Sequence, residues 1–476
     1  MKKMIKHFIR VGALALIFSS CQTPESLQRT VDRTVPDAYQ DGGDTINTAD
    51  VLRADFFADP YLQALIDTAL ENNQELQITL MEIQIANFEV GARQGEVLPS
   101  VGLGAGAGLD KTARYTPLGA NEATTDIRPG TEMPDPVPDL FVGAVASWEV
   151  DIWSKLRNAK KAAFSRYLSS VEGQNFMVTN LVSEIANSYY ELLALDSQLE
   201  LVRRNIEIQT NALSTVRLQK ASARATELAV RRFEAQLLKT KSMEFELKQQ
   251  IVETENQINF LVGRFPQRVE RNPSPFLDMD LFDVQAGIPI QLLENRPDIR
   301  GAEMRMTAAK LDVKSAKAQF YPSLDITAAI GLNAYQPDLL LKTPESMLFS
   351  LAGDLAAPLI NRKAIQAAFQ SANARQVQSI FDYEQTLLKA YIEVTNQLSN
   401  LENLDQSYAL LSDQVDALNE SIDISNTLFK SARADYMEVL LTQRDALEST
   451  FDLIETKKRQ LNARINMYRS LGGGWK

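Results

Sequence analysis

Two seams of apolar residues at seven-residue spacing dominate this chain of 476 residues. Val178, Ile185, Leu192, Leu199, Ile206 and Leu213 form the first, with Leu181, Leu195, Val202 and Val216 at the d-type positions. Ile380, Leu387, Val394, Leu401, Tyr408, Val415 and Ile422 form the second, joined by Leu404, Leu411 and Leu418. A heptad pattern sustained this long requires helices wound around partner helices, because each helix has one stripe that must be covered. No proline interrupts residues 154–219, and at 1.5 Å per residue a helix of that length extends roughly 100 Å. A kink near Gly173 stays open at this stage.

The two seams belong to one plan written twice. Ile185 and Val394 are 209 residues apart, and so are the two copies of Ser-Ala-Arg-Ala at residues 222–225 and 431–434. Upstream, ENNQELQ at residues 71–77 matches ENRPDIR at 294–300, and LPS at 98–100 matches YPS at 321–323, both with an offset of 223. The first half therefore holds 14 extra residues beyond Pro99. The proline-rich stretch between Asp110 and Asp139 is where they are expected, as an exposed loop. Each half reads as helix, strand, loop, strand, very long helix, turn and long helix. The opening helices are expected over about residues 59–96 and 290–320, each ended by a proline that opens a strand. SVGLGAGAGL and LDITAAIGLN alternate with period two, as strands with two different faces do. Their partners are expected near residues 140–150 and 348–357. Each Ser-Ala-Arg-Ala falls where the seam pauses, and so marks a hairpin tip at the end far from the strands.

Composition narrows the chemistry. The single histidine is His7 and the single cysteine is Cys21, so His- or Cys-based nucleophiles, zinc sites and disulfides are excluded beyond residue 21. Neither catalytic residues nor a cofactor or metal is assigned, and the chain is not read as an enzyme. Net charge is −12; removing the four cations of residues 1–20 leaves −16, which disfavours nucleic acid as a partner. Residues 1–20 read as a secretory signal, too short to span a bilayer permanently. LIFSSC resembles a bacterial lipoprotein cleavage site, which makes Cys21 the lipidated residue, and Gln22 resembles the pattern sorted to an outer membrane.

Four alternating strands cannot close a barrel, and an open apolar sheet in lipid would leave its edges unpaired. Two chains would supply eight strands and three would supply twelve; composition does not choose. The competing structural reading is a soluble coiled-coil rod carrying a small sheet.

The chain resembles the outer-membrane efflux proteins of the TolC type, in the lipoprotein branch serving resistance-nodulation-division pumps. IPIQLLENRPDIRGAE at residues 288–303 carries that branch's hallmark. FFADPYLQALIDTALENNQEL, SWEVDIWSKLR and YRSLGGGW resemble its opening, strand-end and terminal stretches. The resemblance implies a mainly α chain with a membrane β-barrel. Long antiparallel coiled-coil helices form an α-barrel, and four strands per protomer enter a twelve-stranded β-barrel in a homotrimer. It further implies an outer-membrane location and a helical tunnel in the periplasm. Its partners are outer-membrane lipid, a periplasmic adaptor protein and, through the adaptor, an inner-membrane resistance-nodulation-division pump. The division expected is a signal at 1–20, a lipidated extension at 21–54, a first repeat with linker at 55–287 and a second repeat at 288–476.

The family usually places glycine at each hairpin tip, where the adaptor engages; those positions fall on Ala223 and Ala432 here. Ser222, Ala223, Arg224, Ser431, Ala432 and Arg433 are therefore expected to form the docking patch. Aspartates that constrict the closed pore in the family are replaced by Ala229 and Leu441. Asp435, Glu438, Leu441, Arg444 and Asp445 are the candidate constriction, as a charged ring or an apolar one. For Glu294, Arg296, Asp298 and Arg300 in the hallmark, structural charge pairing at a helix start is preferred over catalysis. Drug or small-solute export leads; a duct for protein secretion or metal efflux, or a non-conducting periplasmic spacer, are the alternatives.

Overall fold

A computed structural model describes residues 29–39, 45–358, 360, 362–431 and 433–476. Cys21 and Ala432 lie outside the described residues. The chain divides into two compact units, and each draws on both sequence halves. One comprises residues 84–168 and 304–381 with residues 29 and 30; the other comprises the described residues of 31–83, 169–303 and 382–476.

Helix α1 (Pro60–Asn72) begins on a polar cap. Asp59 accepts from the amide of Tyr61 at 2.9 Å, and Pro60 occupies the first turn where no donor is needed. It buries Leu62, Leu65, Ile66 and Ala69, one helical stripe. The single helix expected over 59–96 is in fact two. Asn73 takes an extended backbone (φ −63°, ψ 123°), and its side chain accepts from the amide of Leu76 at 2.9 Å, starting α2 (Gln74–Val97) afresh. The second half repeats the correction 223 residues later. The expected 290–320 helix breaks at Arg296 (φ −87°, ψ 116°), between the short helix Leu292–Asn295 and α5 (Pro297–Ala318), because the residue before Pro297 is pushed out of the helical region.

The sheet is a four-stranded antiparallel meander: β1 (Ser100–Asp110), β2 (Val137–Val150), β3 (Ser323–Ala334) and β4 (Met347–Ala356), in that spatial order. Strands of 10 to 14 residues suit a tilted crossing of a bilayer core. Register sorts the side chains. Leu103 lies opposite Ala144, Ala144 opposite Ile330, and Ile330 opposite Phe349, so one face is apolar throughout. That face is bare: Leu103 is 91% and Phe349 81% exposed. The other face carries the glycines of β1, with Ser147, Glu149, Asp325, Asn333 and Asp354. There Gly143 and Gly331 approach so closely that a Cβ on either would meet the opposite strand within 2.5 Å. The Phe141 ring covers both glycines. The 111–136 segment is more ordered than the expected loop. Thr116 caps a helix at Pro117–Glu122, and Gly130 (φ 76°) turns a small hairpin, Asp126–Arg128 with Thr131–Glu132.

The long helices are α3 (Lys155–Ala221), unbroken through Gly173, α4 (Glu227–Leu261), α6 (Lys363–Lys430) and α7 (Tyr436–Ser470). The first seam is buried as read: Leu181, Ile185, Leu192, Leu195, Leu199 and Val202 pack with Leu247, Ile251 and Ile258 of α4 and with Ile454, Leu461 and Ile465 of α7. Leu387 and Val394 of the second seam pack with Leu292 and Ile299, and with Met467 and Leu471.

Candidate functional site

At the first tip, helix α3 ends in a six-residue closure. The amide of Arg224 donates to the carbonyl of Gln219 at 2.8 Å, and that of Ala223 to Lys220 at 2.9 Å. This pairing needs a left-handed residue, and Ala223 supplies it at φ 56° without the freedom of glycine. The second tip repeats the bond 209 residues on: Arg433 N–H donates to Leu428 at 2.9 Å. Ser222, Ala223, Arg224, Ser431 and Arg433 are all exposed. Neither Arg224 nor Arg433 has an ion-pair partner among the described residues, whereas nearby Arg231 pairs with Glu227 and Glu234. Leu213, Val216, Ala229, Val230, Phe233 and Leu237 pack beneath the first tip. Thr226 holds the start of α4 by accepting from the amide of Ala229 at 3.2 Å.

The structure places Asp435 as the residue before α7, exposed, with no side-chain capping bond. Glu438, Leu441 and Asp445 follow at three- and four-residue spacing and therefore share one face of α7, opposite buried Gln443 and Leu447. Leu441 is 39% exposed, and Arg444 pairs with Asp445 at 2.8 Å. Ala229 is fully buried and presents no surface.

Sequence reasoning missed a row of carboxylates on the polar face of the sheet. Glu149 lies opposite Asp325, and Asp325 opposite Asp354, so three neighbouring strands carry an acid at one level. Lys155 pairs with Glu149, and Ser323 donates to Asp325 at 3.1 Å. Glu149 and Asp325 were visible in the sequence, but only hydrogen-bond register shows that they are neighbours. Next to this row, on the apolar face, Trp148 Nε1 donates to Val97 O at 3.1 Å. Trp153 Nε1 donates to Pro322 O at 2.7 Å and stacks on Tyr321. Tryptophan and tyrosine at one end of an apolar strand face mark a bilayer boundary.

Of the four charged hallmark residues, Arg296, Asp298 and Arg300 form ion pairs. Arg296 binds Asp298 through two nitrogens at 2.7 and 3.0 Å and reaches Glu393 at 2.7 Å. Arg300 pairs with Glu172 at 2.6 Å.

A sheet with one apolar and one polar face, joined to heptad helices that return at exposed tips, defines an outer-membrane channel protein of the TolC type. The chain belongs to the outer membrane efflux protein family, whose model matches residues 65–264 and 288–473. It is 26% identical to the pyoverdine export outer membrane protein OpmQ of Pseudomonas aeruginosa over 419 residues, 88% of this chain and 86% of that one. It is 25% identical to the cation efflux system protein CusC of Escherichia coli O157:H7 over 472 residues, 97% of each. The open-state MtrE outer membrane channel of Neisseria gonorrhoeae superposes with a TM-score of 0.83 at 23% identity, covering 96% of this chain and 98% of that one, a likeness of fold. Its function is that of the family: an outer-membrane channel for efflux, in which members are passive conduits rather than enzymes.

Proposed function

We propose that this chain forms a homotrimeric conduit for small solutes, docked at its helical tips by a periplasmic adaptor that links it to an inner-membrane resistance-nodulation-division pump. The observation that carries the conduit is the sheet: an apolar face left bare and a carboxylate-bearing face opposite it, with the outer edges of β1 and β4 unpaired among the described residues. Three copies pair those edges and turn the polar faces inward. Exposed Ser222, Ala223, Arg224, Ser431 and Arg433, together with Ala432, form the docking patch, where small residues permit close backbone approach and the two arginines offer charge to the adaptor. Asp435, just before α7, and Glu438, Leu441, Arg444 and Asp445 on it form the constriction. Residues 1–20 direct secretion, and Cys21 anchors the 21–54 extension in the outer membrane by its lipid. The repeats occupy residues 55–287 and 288–476.

Relatives are named for pyoverdine export, toluene efflux and cation efflux, at nearly equal identity, so the cargo is taken as a small solute of no narrower class. The test has two arms. Purified protein in a planar bilayer should conduct, and silence there would leave a structural spacer. Deleting the gene should sensitise cells to at least one agent in a panel of detergents, dyes, antibiotics and metal salts. A strain unchanged across that panel would count against efflux.

A further inference from the structure

We propose that the helix segments bordering the sheet form a docking surface for the anionic headgroups of the periplasmic phospholipid leaflet. The inference rests on the sheet spanning the outer membrane. Its starting point is a local reversal of charge in an acidic chain. Residues 152–171 hold Lys155, Arg157, Lys160, Lys161 and Arg166 and no acid, and residues 355–381 hold Arg362, Lys363 and Arg375 and no acid. The last three turns of α5 add Lys310, Lys314 and Lys317 against one acid, Asp312, which is already paired with Arg166 at 2.8 Å.

Six of these cations have no polar partner among the described residues. Among the described residues, Lys160, Lys161, Lys310, Lys314, Lys317 and Lys363 make no ion pair or side-chain hydrogen bond, and all but half-buried Lys160 are exposed. They also sit on free helix faces. Val313, Ala316 and Phe320 turn α5 toward Phe369 and Ile365 of α6, while Asp312 and Ser315 reach Arg166 and Lys155 of α3. Lys310, Lys314 and Lys317, at i, i+4 and i+7, share the face turned away from both contacts. On α3, Arg157, Lys160 and Lys161 flank Phe164, which is 48% exposed on the side opposite buried Ala162. An exposed aromatic ring among lysines suits a headgroup boundary better than open water.

Their level agrees with that reading. Lys317 is one residue from the end of α5, and Lys310 is eight, about 12 Å at the helical rise. The sheet end itself is marked by Trp148, Trp153 and Tyr321. Helices α3 and α6 start at the sheet, so their lysine stems lean back toward it. Basic residues at this depth are drawn to an anionic surface.

The test uses the assembled, purified channel in nanodiscs of mixed phosphatidylglycerol and phosphatidylcholine, with the lipid retained after extraction and washing as the readout. Phosphatidylglycerol should be enriched several-fold over its share of the disc. The enrichment should fall toward none as NaCl rises to about 0.5 M, where the Debye length shrinks to a few ångströms. The combined variant K160Q/K161Q/K310Q/K314Q/K317Q/K363Q should lose the enrichment; K239Q/K241Q on α4 should keep it. Wild-type channel that conducts but retains the two lipids equally would overturn this inference and leave the channel reading intact. So would enrichment that survives in the six-site variant, or a six-site variant that alters only ion selectivity, which would place the lysines in the tunnel.

Discussion

Arg296 donates from Nη1 to the main-chain carbonyl of Ser470 at 2.9 Å, and its counterpart Asn73 donates from Nδ2 to Leu261, also at 2.9 Å. The donors are 223 residues apart and the acceptors 209, the two offsets of the sequence repeat. In each half, the residue that interrupts the first helix caps the end of the returning one, satisfying a carbonyl that the helix itself leaves open. The fit is close on both sides: Gly263 and Gly472, left-handed at φ 76° and 92°, press against the carbonyls of Asn72 and Asn295.

Arg296 is the stronger of the two clamps. Its side chain is 5% exposed and its guanidinium is held charged by Asp298 and Glu393 against the cost of burial. Replacing it with alanine strands Asp298 in a poorly hydrated site and should cost about 3 kcal/mol. Arg296→Lys should recover only part, because it cannot bind Asp298 with two nitrogens. Thermal unfolding of the purified channel reads both, and an Arg296→Ala protein melting like wild type would refute the assignment.

Ala223 holds a conformation that costs an L-residue about 1 kcal/mol. Ala223→Gly should slow hydrogen exchange at the tip amides by several-fold, and Ala223→Val should hasten it. Faster exchange in the glycine variant would show that the closure is not strained.

If the tips receive the adaptor, charge reversal there should weaken docking without touching assembly. Arg224→Glu with Arg433→Glu should lower adaptor affinity about tenfold or more in low salt, with a smaller loss in high salt. Size-exclusion and drug-susceptibility measurements on the same variant separate docking from folding; unchanged affinity would move the patch elsewhere.

The row formed by Glu149, Asp325 and Asp354 should favour cations at one end of the pore. The triple variant Glu149→Gln, Asp325→Asn, Asp354→Asn should shift the reversal potential in a salt gradient toward no preference. An unshifted potential would mean that the selectivity is set elsewhere.

Lys457 gives a pH signature. It is 6% exposed, and burial lowers its pKa below the usual lysine value of 10.5, with Arg464 adding to the effect. Its folded form therefore binds fewer protons than the unfolded form between the lowered value and 10.5. Across that alkaline window its contribution to stability rises with pH, and at neutral pH the penalty is in full force. Lys457→Met should raise the neutral-pH melting temperature by about 1–2 °C and flatten the alkaline rise; no change in either would argue that the ammonium stays well solvated.

Much of this was legible because its signals are periodic. The heptads of Ile185 and Val394 predicted the helical seams, and the alternation around Leu103 and Ile330 predicted two-faced strands. What escaped depended on distant partners. Asn73 inside a helical pattern reads as an ordinary residue until Leu261, 188 positions on, is seen to need its amide. Alternation told which way Glu149 and Asp325 face but not that they stand side by side, since register is set by the whole ladder. The 111–136 segment looked structureless because its prolines outweighed the Thr116 cap and the Gly130 turn. Roles for the tip and constriction residues came through the family resemblance; no periodicity or spacing in this chain assigns them.

The Phe141 ring covers Gly143 and Gly331 on the polar face, with Asp139 toward one end of the strands and the row of Glu149, Asp325 and Asp354 toward the other. Any bulkier residue at either glycine would meet that ring and the backbone of the next strand, so it would push the two strands apart before it could reshape the face they share.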